Sequence, residues 1–165
     1  MPPKTHSSLG EIVTAADGSL TIRFERQLAH PPERVWAALT EPAQLAQWFM
    51  PGTLEPSRGG RVHLDSGEEG GTVGEVLAWE PPRLLTYSWV REGGAGAHSL
   101  VRWELHPQGE DRTLLVLEHS GLEQHIAHDY GAGWHDFLDR LPDHLGGRTH
   151  AGQYEELLVA YRALV

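Results

Sequence analysis

Cysteine is absent from the 165 residues, which excludes disulfides, thiolate metal ligands and cysteine nucleophiles and suits a reducing compartment. Long apolar runs are also missing. None approaches the ~20 residues needed to cross a bilayer, and the stretch from Met1 to Gly10 lacks the apolar core of a signal peptide, so a cytoplasmic protein without membrane contact is expected. Positive charge is scarce. Thirteen Lys and Arg against twenty-three Asp and Glu leave a formal charge of −10, the wrong sign for a phosphate backbone or an anionic membrane surface. The eleven histidines run from His6 to His150 with no basic patch around them, so nucleic acid is not an expected partner. Nucleophilic signatures are missing as well: Ser7-Ser8 and Ser120-Gly121 lack the strand-turn-helix setting of a nucleophile elbow, and no Gly-x-x-x-x-Gly-Lys loop occurs. The glycine-rich segments around Gly70-Gly71 and Gly93-Gly94 carry no lysine and read as solvent loops able to gate a pocket. No cofactor is expected.

With 39% hydrophobic residues, the length suffices for one substantial core, and residues 1–165 are expected to form a single domain. Ile12-Val13 reads as a short strand before the turn Ala16-Asp17-Gly18-Ser19. Leu20, Ile22, Phe24 and Leu28 then share one face of a second strand at period two, and Arg26 falls on that face. Pro31-Pro32 stops this strand and starts a helix with Val35, Trp36 and Leu39 as its apolar stripe. A second helix after Thr40-Glu41-Pro42 turns Leu45, Trp48 and Phe49 inward and ends at Pro51-Gly52. Five strands follow between turn signals: Arg61 to Asp65, Thr72 to Trp79, Leu84 to Val90, Leu100 to Leu105 and Thr113 to His119, in the manner of an antiparallel meander. After Gly121 the period becomes helical. Trp134, Phe137, Leu138, Leu141 and Leu145 form an apolar side of a helix expected to begin near Asp129 and to end at Gly146-Gly147. Tyr154, Leu157, Leu158, Tyr161 and Leu164 mark a terminal helix.

Several stretches, in this order, carry a resemblance: Phe24-Glu25-Arg26, Val35 to Pro42, Trp48-Phe49, Gly74-Glu75-Val76-Leu77, Pro81 to Trp89, Trp103-Glu104-Leu105, His119-Ser120-Gly121 and Gly131-Ala132-Gly133-Trp134-His135. Together they resemble the bacterial family similar to activators of the Hsp90 ATPase, within the START-like or SRPBCC superfamily, over about residues 20–147, with 148–165 as a helical extension. The resemblance implies an α+β helix-grip fold: a curved antiparallel β-sheet wrapped around a long C-terminal helix, with two short helices after the first long strand. It also implies an apolar pocket between sheet and helix for a lipid, polyketide or other hydrophobic small molecule. The chaperone activity behind the family name belongs to eukaryotic relatives that typically add a separate chaperone-binding domain, for which there is no room before Leu20.

Two polar residues share strand faces with apolar neighbours: Arg26 beside Phe24 and Leu28, and His119 beside Leu115 and Leu117. A charge facing a core must be paired or must meet a ligand. Arg26 would anchor a carboxylate, or else be satisfied by Glu75 or Glu104. His119 would hydrogen-bond a ligand or exchange a proton, or else meet a backbone carbonyl. Of the aromatic residues Trp36, Trp48, Phe49, Trp79, Tyr87, Trp89, Trp103 and Trp134, the ones expected to touch a ligand are Trp48, Phe49, Tyr87, Trp103 and Trp134; the alternative is plain core. The cluster His119, His125, His128, Asp129, His135 and Asp136 has poor spacing for a metal, so none is expected. The expected function is binding of a hydrophobic small molecule. The rivals are a polyketide-cyclase-like or hydrolase-like enzyme using His119 as base, and a regulator of a chaperone ATPase. Residues 152–165 must bury Tyr154, Leu158 and Tyr161, either in a homodimer or by folding back on the chain's own sheet.

Overall fold

In the computed structural model, which describes residues 8–65, 71–91, 99–148 and 152–164, eight strands and four helices follow one another. They are β1 (Glu11–Thr14), β2 (Leu20–Leu28), α1 (Pro32–Thr40), α2 (Pro42–Trp48), β3 (Gly52–Leu54), β4 (Arg61–Asp65), β5 (Gly71–Glu80), β6 (Leu84–Arg91), β7 (Ser99–Pro107), β8 (Thr113–Leu122), α3 (Gln124–Leu145) and α4 (Tyr154–Arg162). The strands form one antiparallel sheet in the order β1-β2-β8-β7-β6-β5-β4-β3. With α3 against its inner face this is the α+β helix-grip arrangement. The expected gating loops, around Gly93 to Ala97 and Ser66 to Gly70, lie outside the described residues.

Period-two alternation gives the sheet its two faces. Ile22 and Phe24 on β2, Val101, Trp103 and Leu105 on β7, and Leu115, Leu117 and His119 on β8 are buried inward. On the other face Arg23 pairs with Glu25 at 2.8 Å and with Glu118 at 3.2 Å, and Arg102 pairs with Glu104 at 3.2 Å. Pro31 is extended and Pro32 opens α1, so the strand-to-helix switch is built from proline's fixed φ and missing N–H. Glu41 closes α1 and opens α2. The Trp48 indole N–H donates to the Ala38 carbonyl at 2.8 Å and ties the two helices together.

Three boundaries depart from expectation. Helix α2 ends at Trp48, ahead of the expected Pro51-Gly52, and Gly52 begins β3, a three-residue edge strand too short to show a period. Gly52 is required there, since a Cβ would lie 2.2 Å from the His63 carbonyl oxygen. Strand β8 runs past His119 to Leu122: Ile22 faces His119 and Leu20 faces Leu122, so β8 carries one extra residue. Gly121 sits in that bulge at φ 76°, and the bulge turns the chain toward α3. Helix α3 begins at Gln124 rather than near Asp129. Its first turn is weak in apolar periodicity, and burial of Ala127 with the packing of Ile126 on the core compensates. Helix α4 folds back within the chain, mainly on α3, and its Tyr161 ring also reaches the sheet, 6.4 Å from the Phe24 ring of β2. Leu157 and Tyr161 are fully buried, and the Tyr161 hydroxyl accepts from the Gly10 N–H at 2.7 Å.

Candidate functional site

Under α3 the aromatic rings make a packed stack toward α2 and leave a space toward α4. Trp48 stacks on Phe49 at 5.2 Å between centroids, Phe49 stacks on Trp134 at 5.4 Å, and Trp103 meets Trp134 edge-on at 5.5 Å. Beyond Trp134 lies a cavity of about 320 Å³, at the low end of the range for small-molecule sites. Ile126, Asp129, Tyr130, Gly133, Trp134 and Phe137 of α3 line one wall. These positions recur at three- and four-residue steps, so they form one helical face. Gly71 and Thr72 of β5, Trp89 of β6, Met50 and Tyr154 complete the lining.

Gly133 keeps this volume open. A Cβ built there would meet nothing closer than the Tyr154 ring at 4.0 Å, so the position has room for a side chain on the cavity side. Gly131, two residues earlier and on another face, is packed instead: a Cβ there would lie 2.7 Å from the Tyr161 ring. Glycine inside a helix costs about 1 kcal/mol relative to alanine, and in α3 one glycine seats α4 while the other leaves room.

His119 lies behind the cavity wall, fully buried. Its Nδ1 accepts the Trp134 indole N–H at 2.9 Å, so the neutral ring carries its proton on Nε2, which meets Ser99 Oγ at 2.8 Å. The Ser99 hydroxyl in turn donates to the Trp89 carbonyl at 3.2 Å. Burial pulls the His119 pKa down to about 3. Both partners are side chains, not the backbone carbonyl considered from the sequence. His119 therefore positions Trp134, and with both nitrogens occupied and its proton affinity low it is poorly suited to act as a base. At the cavity surface the Trp89 indole N–H donates to the Tyr130 hydroxyl at 3.1 Å.

Of the seven residues expected to touch a ligand, Trp134 lines the cavity and His119 lies one layer behind it, against the lining rings of Trp134, Tyr130 and Trp89. Trp48, Phe49, Tyr87 and Trp103 are buried in the stack, where the Trp103 indole N–H donates to the Tyr87 hydroxyl at 3.1 Å. Arg26 lies on the Tyr161 side of α3, away from the cavity. Its guanidinium sits 5.2 Å over the Phe24 ring and donates to the Ser8 and Glu25 carbonyls at 2.7 and 3.0 Å. Neither Glu75 nor Glu104 receives it, because both strands point those carboxylates to the outer face, where Glu104 pairs with Arg102.

The histidine and carboxylate cluster disperses. His135 contacts the Tyr161 hydroxyl at 2.8 Å, Asp136 accepts from Arg140 at 2.8 Å, and His125 pairs with Glu123 at 3.3 Å. Among the described residues no three such groups converge on a metal position. Sequence reasoning missed Tyr130, Phe137, Met50 and Asp129 as cavity residues. The helical step from Ile126 through Asp129-Tyr130 and Gly133-Trp134 to Phe137 was the signal that could have found most of them.

No helix among the described residues is long and apolar enough to cross a membrane. No curated protein matches the chain. Among solved structures, CalU16 from Micromonospora echinospora is 30% identical over 94% of this chain and 97% of its own, with a TM-score of 0.76. A protein of Mesorhizobium loti is 33% identical over 77% of this chain and 97% of its own, with a TM-score of 0.69. An HSP90 activator from Plasmodium falciparum shares the fold at 22% identity, covering 76% of this chain and 96% of its own, with a TM-score of 0.68. The sequence profile of the Activator of Hsp90 ATPase homolog 1-like proteins matches residues 29–146. With that match over most of its length and the helix-grip architecture built around α3, the chain belongs to the Activator of Hsp90 ATPase homolog 1-like family, within the START-like superfamily.

Proposed function

We propose that this protein binds a hydrophobic, ring-bearing small molecule in the cavity between α3 and the sheet, without covalent chemistry. The observation that carries the reading is a partly open cavity of about 320 Å³ beside the packed core, walled by Trp89, Trp134, Phe137 and Tyr154 and bordered by Gly133, which adds no side chain to it. Binding would draw mainly on burial of apolar area, ~25 cal/mol per Å². The enzymatic alternative built on His119 finds no support, since the ring is neutral, shielded by Trp134 and hydrogen-bonded at both nitrogens. Regulation of a chaperone ATPase rests on the family name and on a relative whose likeness extends to the fold alone.

The neutral two-ring fluorophore 4-methylamino-7-nitrobenzoxadiazole, dim in water and bright in apolar surroundings, tests the proposal. Its emission should rise saturably on titration into the wild-type protein. Gly133→Leu should abolish that rise with little change in thermal midpoint, because the added side chain enters a void rather than a neighbour. Equal enhancement by the variant and the wild type would place the probe elsewhere and overturn the proposal.

A further inference from the structure

The cavity wall joins many aromatic faces to a single ionised side chain. Trp89, Tyr130, Trp134, Phe137 and Tyr154 supply the rings, and Asp129 is the one charged residue among the described lining residues. Its carboxylate is only partly exposed, and its one close partner among the described residues is His128 Nε2 at 3.6 Å, beyond hydrogen-bond distance. The Tyr130 hydroxyl accepts the Trp89 N–H and keeps its own proton for a further acceptor. Aromatic faces are negative at their centres and attract cations, most strongly where water is excluded. A formal charge of −10 adds a long-range field of the same preference.

We infer that the cavity selects ligands in which a protonated amine is attached to a fused aromatic ring system, the amine seated beside Asp129 and the rings against the wall made by Trp89, Trp134 and Phe137. This rests on the small-molecule reading above and narrows it to a ligand class opposite in charge to the carboxylate expected at Arg26. Size sets the rest of the specification. A cavity of about 150 Å³ holds one benzene ring, so about 320 Å³ holds roughly two fused rings with a short side arm. At Tyr154 burial raises the pKa of the phenol, the Asp129 charge raises it further, and Arg162 offsets part of this from outside the cavity lining. An anionic ligand would meet the same repulsion.

Three ligands of matched shape separate the terms: naphthylmethylamine, naphthylmethanol and naphthoic acid, each titrated at neutral pH with the quenching of Trp89 and Trp134 emission as readout. In the wild type the amine should bind about tenfold more tightly than the alcohol, and the acid more weakly than the alcohol. Asp129→Asn should remove the advantage of the amine and leave the alcohol within about twofold of its wild-type affinity, while Asp129→Glu should retain most of the preference. Asp129 is partly exposed, so both variants should fold, and a thermal scan checks that they do. Equal affinity for amine and alcohol, tightest binding of the acid, or an amine advantage that survives in Asp129→Asn would each overturn the inference while sparing the cavity reading. Failure of all three ligands to bind would overturn both.

Discussion

At His119 two hydrogen bonds of opposite sense fix one tautomer: Nδ1 accepts from the Trp134 indole and the Nε2 proton points to Ser99. Protonation would put a second N–H against the indole N–H, so the cation is disfavoured by geometry as well as by burial. This has a pH signature. The unfolded ring takes up a proton below about 6.5, its ordinary value, whereas the folded ring stays neutral down to about 3. Between those limits the unfolded state binds more protons, so stability is fully present above pH 6.5 and falls as the pH drops through the window, by up to about 1.4 kcal/mol per pH unit. Urea unfolding at a series of pH values from 6.5 to 4.5 should show the wild type losing more per unit than His119→Gln, by about that amount. Parallel pH profiles would mean that the ring is not held neutral. The sequence singled out His119 through its alternation with Leu115 and Leu117, but its role could not be read there. Trp134 and Ser99 reach it across element boundaries, from fifteen and twenty residues away, and local periodicity carries no information about which rings meet in space. The same holds for Trp48 and Trp103, whose inward direction was legible and whose distance from the cavity was not.

Helix α3 shows how one element serves two neighbours. Its Gly131 face receives the Tyr161 ring of α4, and its Gly133 face borders the cavity. Alanine at the two positions should therefore act in opposite directions. Gly131→Ala forces a methyl against Tyr161 and should destabilise the protein by about 1–3 kcal/mol, loosening α4. Gly133→Ala meets open space and gains helix propensity, so it should be neutral or stabilising by up to about 1 kcal/mol. Chemical denaturation gives the magnitudes. Limited proteolysis between α3 and α4 should accelerate in Gly131→Ala alone. At this scale most of the fold was legible, because prolines and glycines punctuate it: Pro31-Pro32, Pro81-Pro82 and Gly146-Gly147 each close an element, and β2, α1, α2, β4 and β6 begin where those signals placed them. What escaped was set by tertiary pairing. Strand β3 exists only through its ladder with β4, and the first turn of α3 is held by packing of Ile126 and Ala127 rather than by a helix-start signal.

For the whole molecule, the cavity is a place where folding has left apolar surface uncovered. A packed interior tolerates few voids larger than a water molecule, and filling one restores the contacts its lining lacks. A ligand that enters the native cavity, with no site in the unfolded chain, must therefore stabilise the fold by mass action. At one hundred times its dissociation constant the gain is about 2.7 kcal/mol. For a chain of 165 residues that corresponds to a rise in thermal midpoint of about 5–11 °C. Naphthylmethylamine should produce such a rise in the wild type, scaling with the logarithm of its concentration, and should produce none in Gly133→Leu. The leucine should itself recover part of the same packing energy, so the unliganded variant should melt at or above the unliganded wild type. If the ligand instead raised both midpoints equally, it would be binding a surface that Gly133 does not shape. If Gly133→Leu melted far below the wild type, the space beside Gly133 would be one the folded chain already uses.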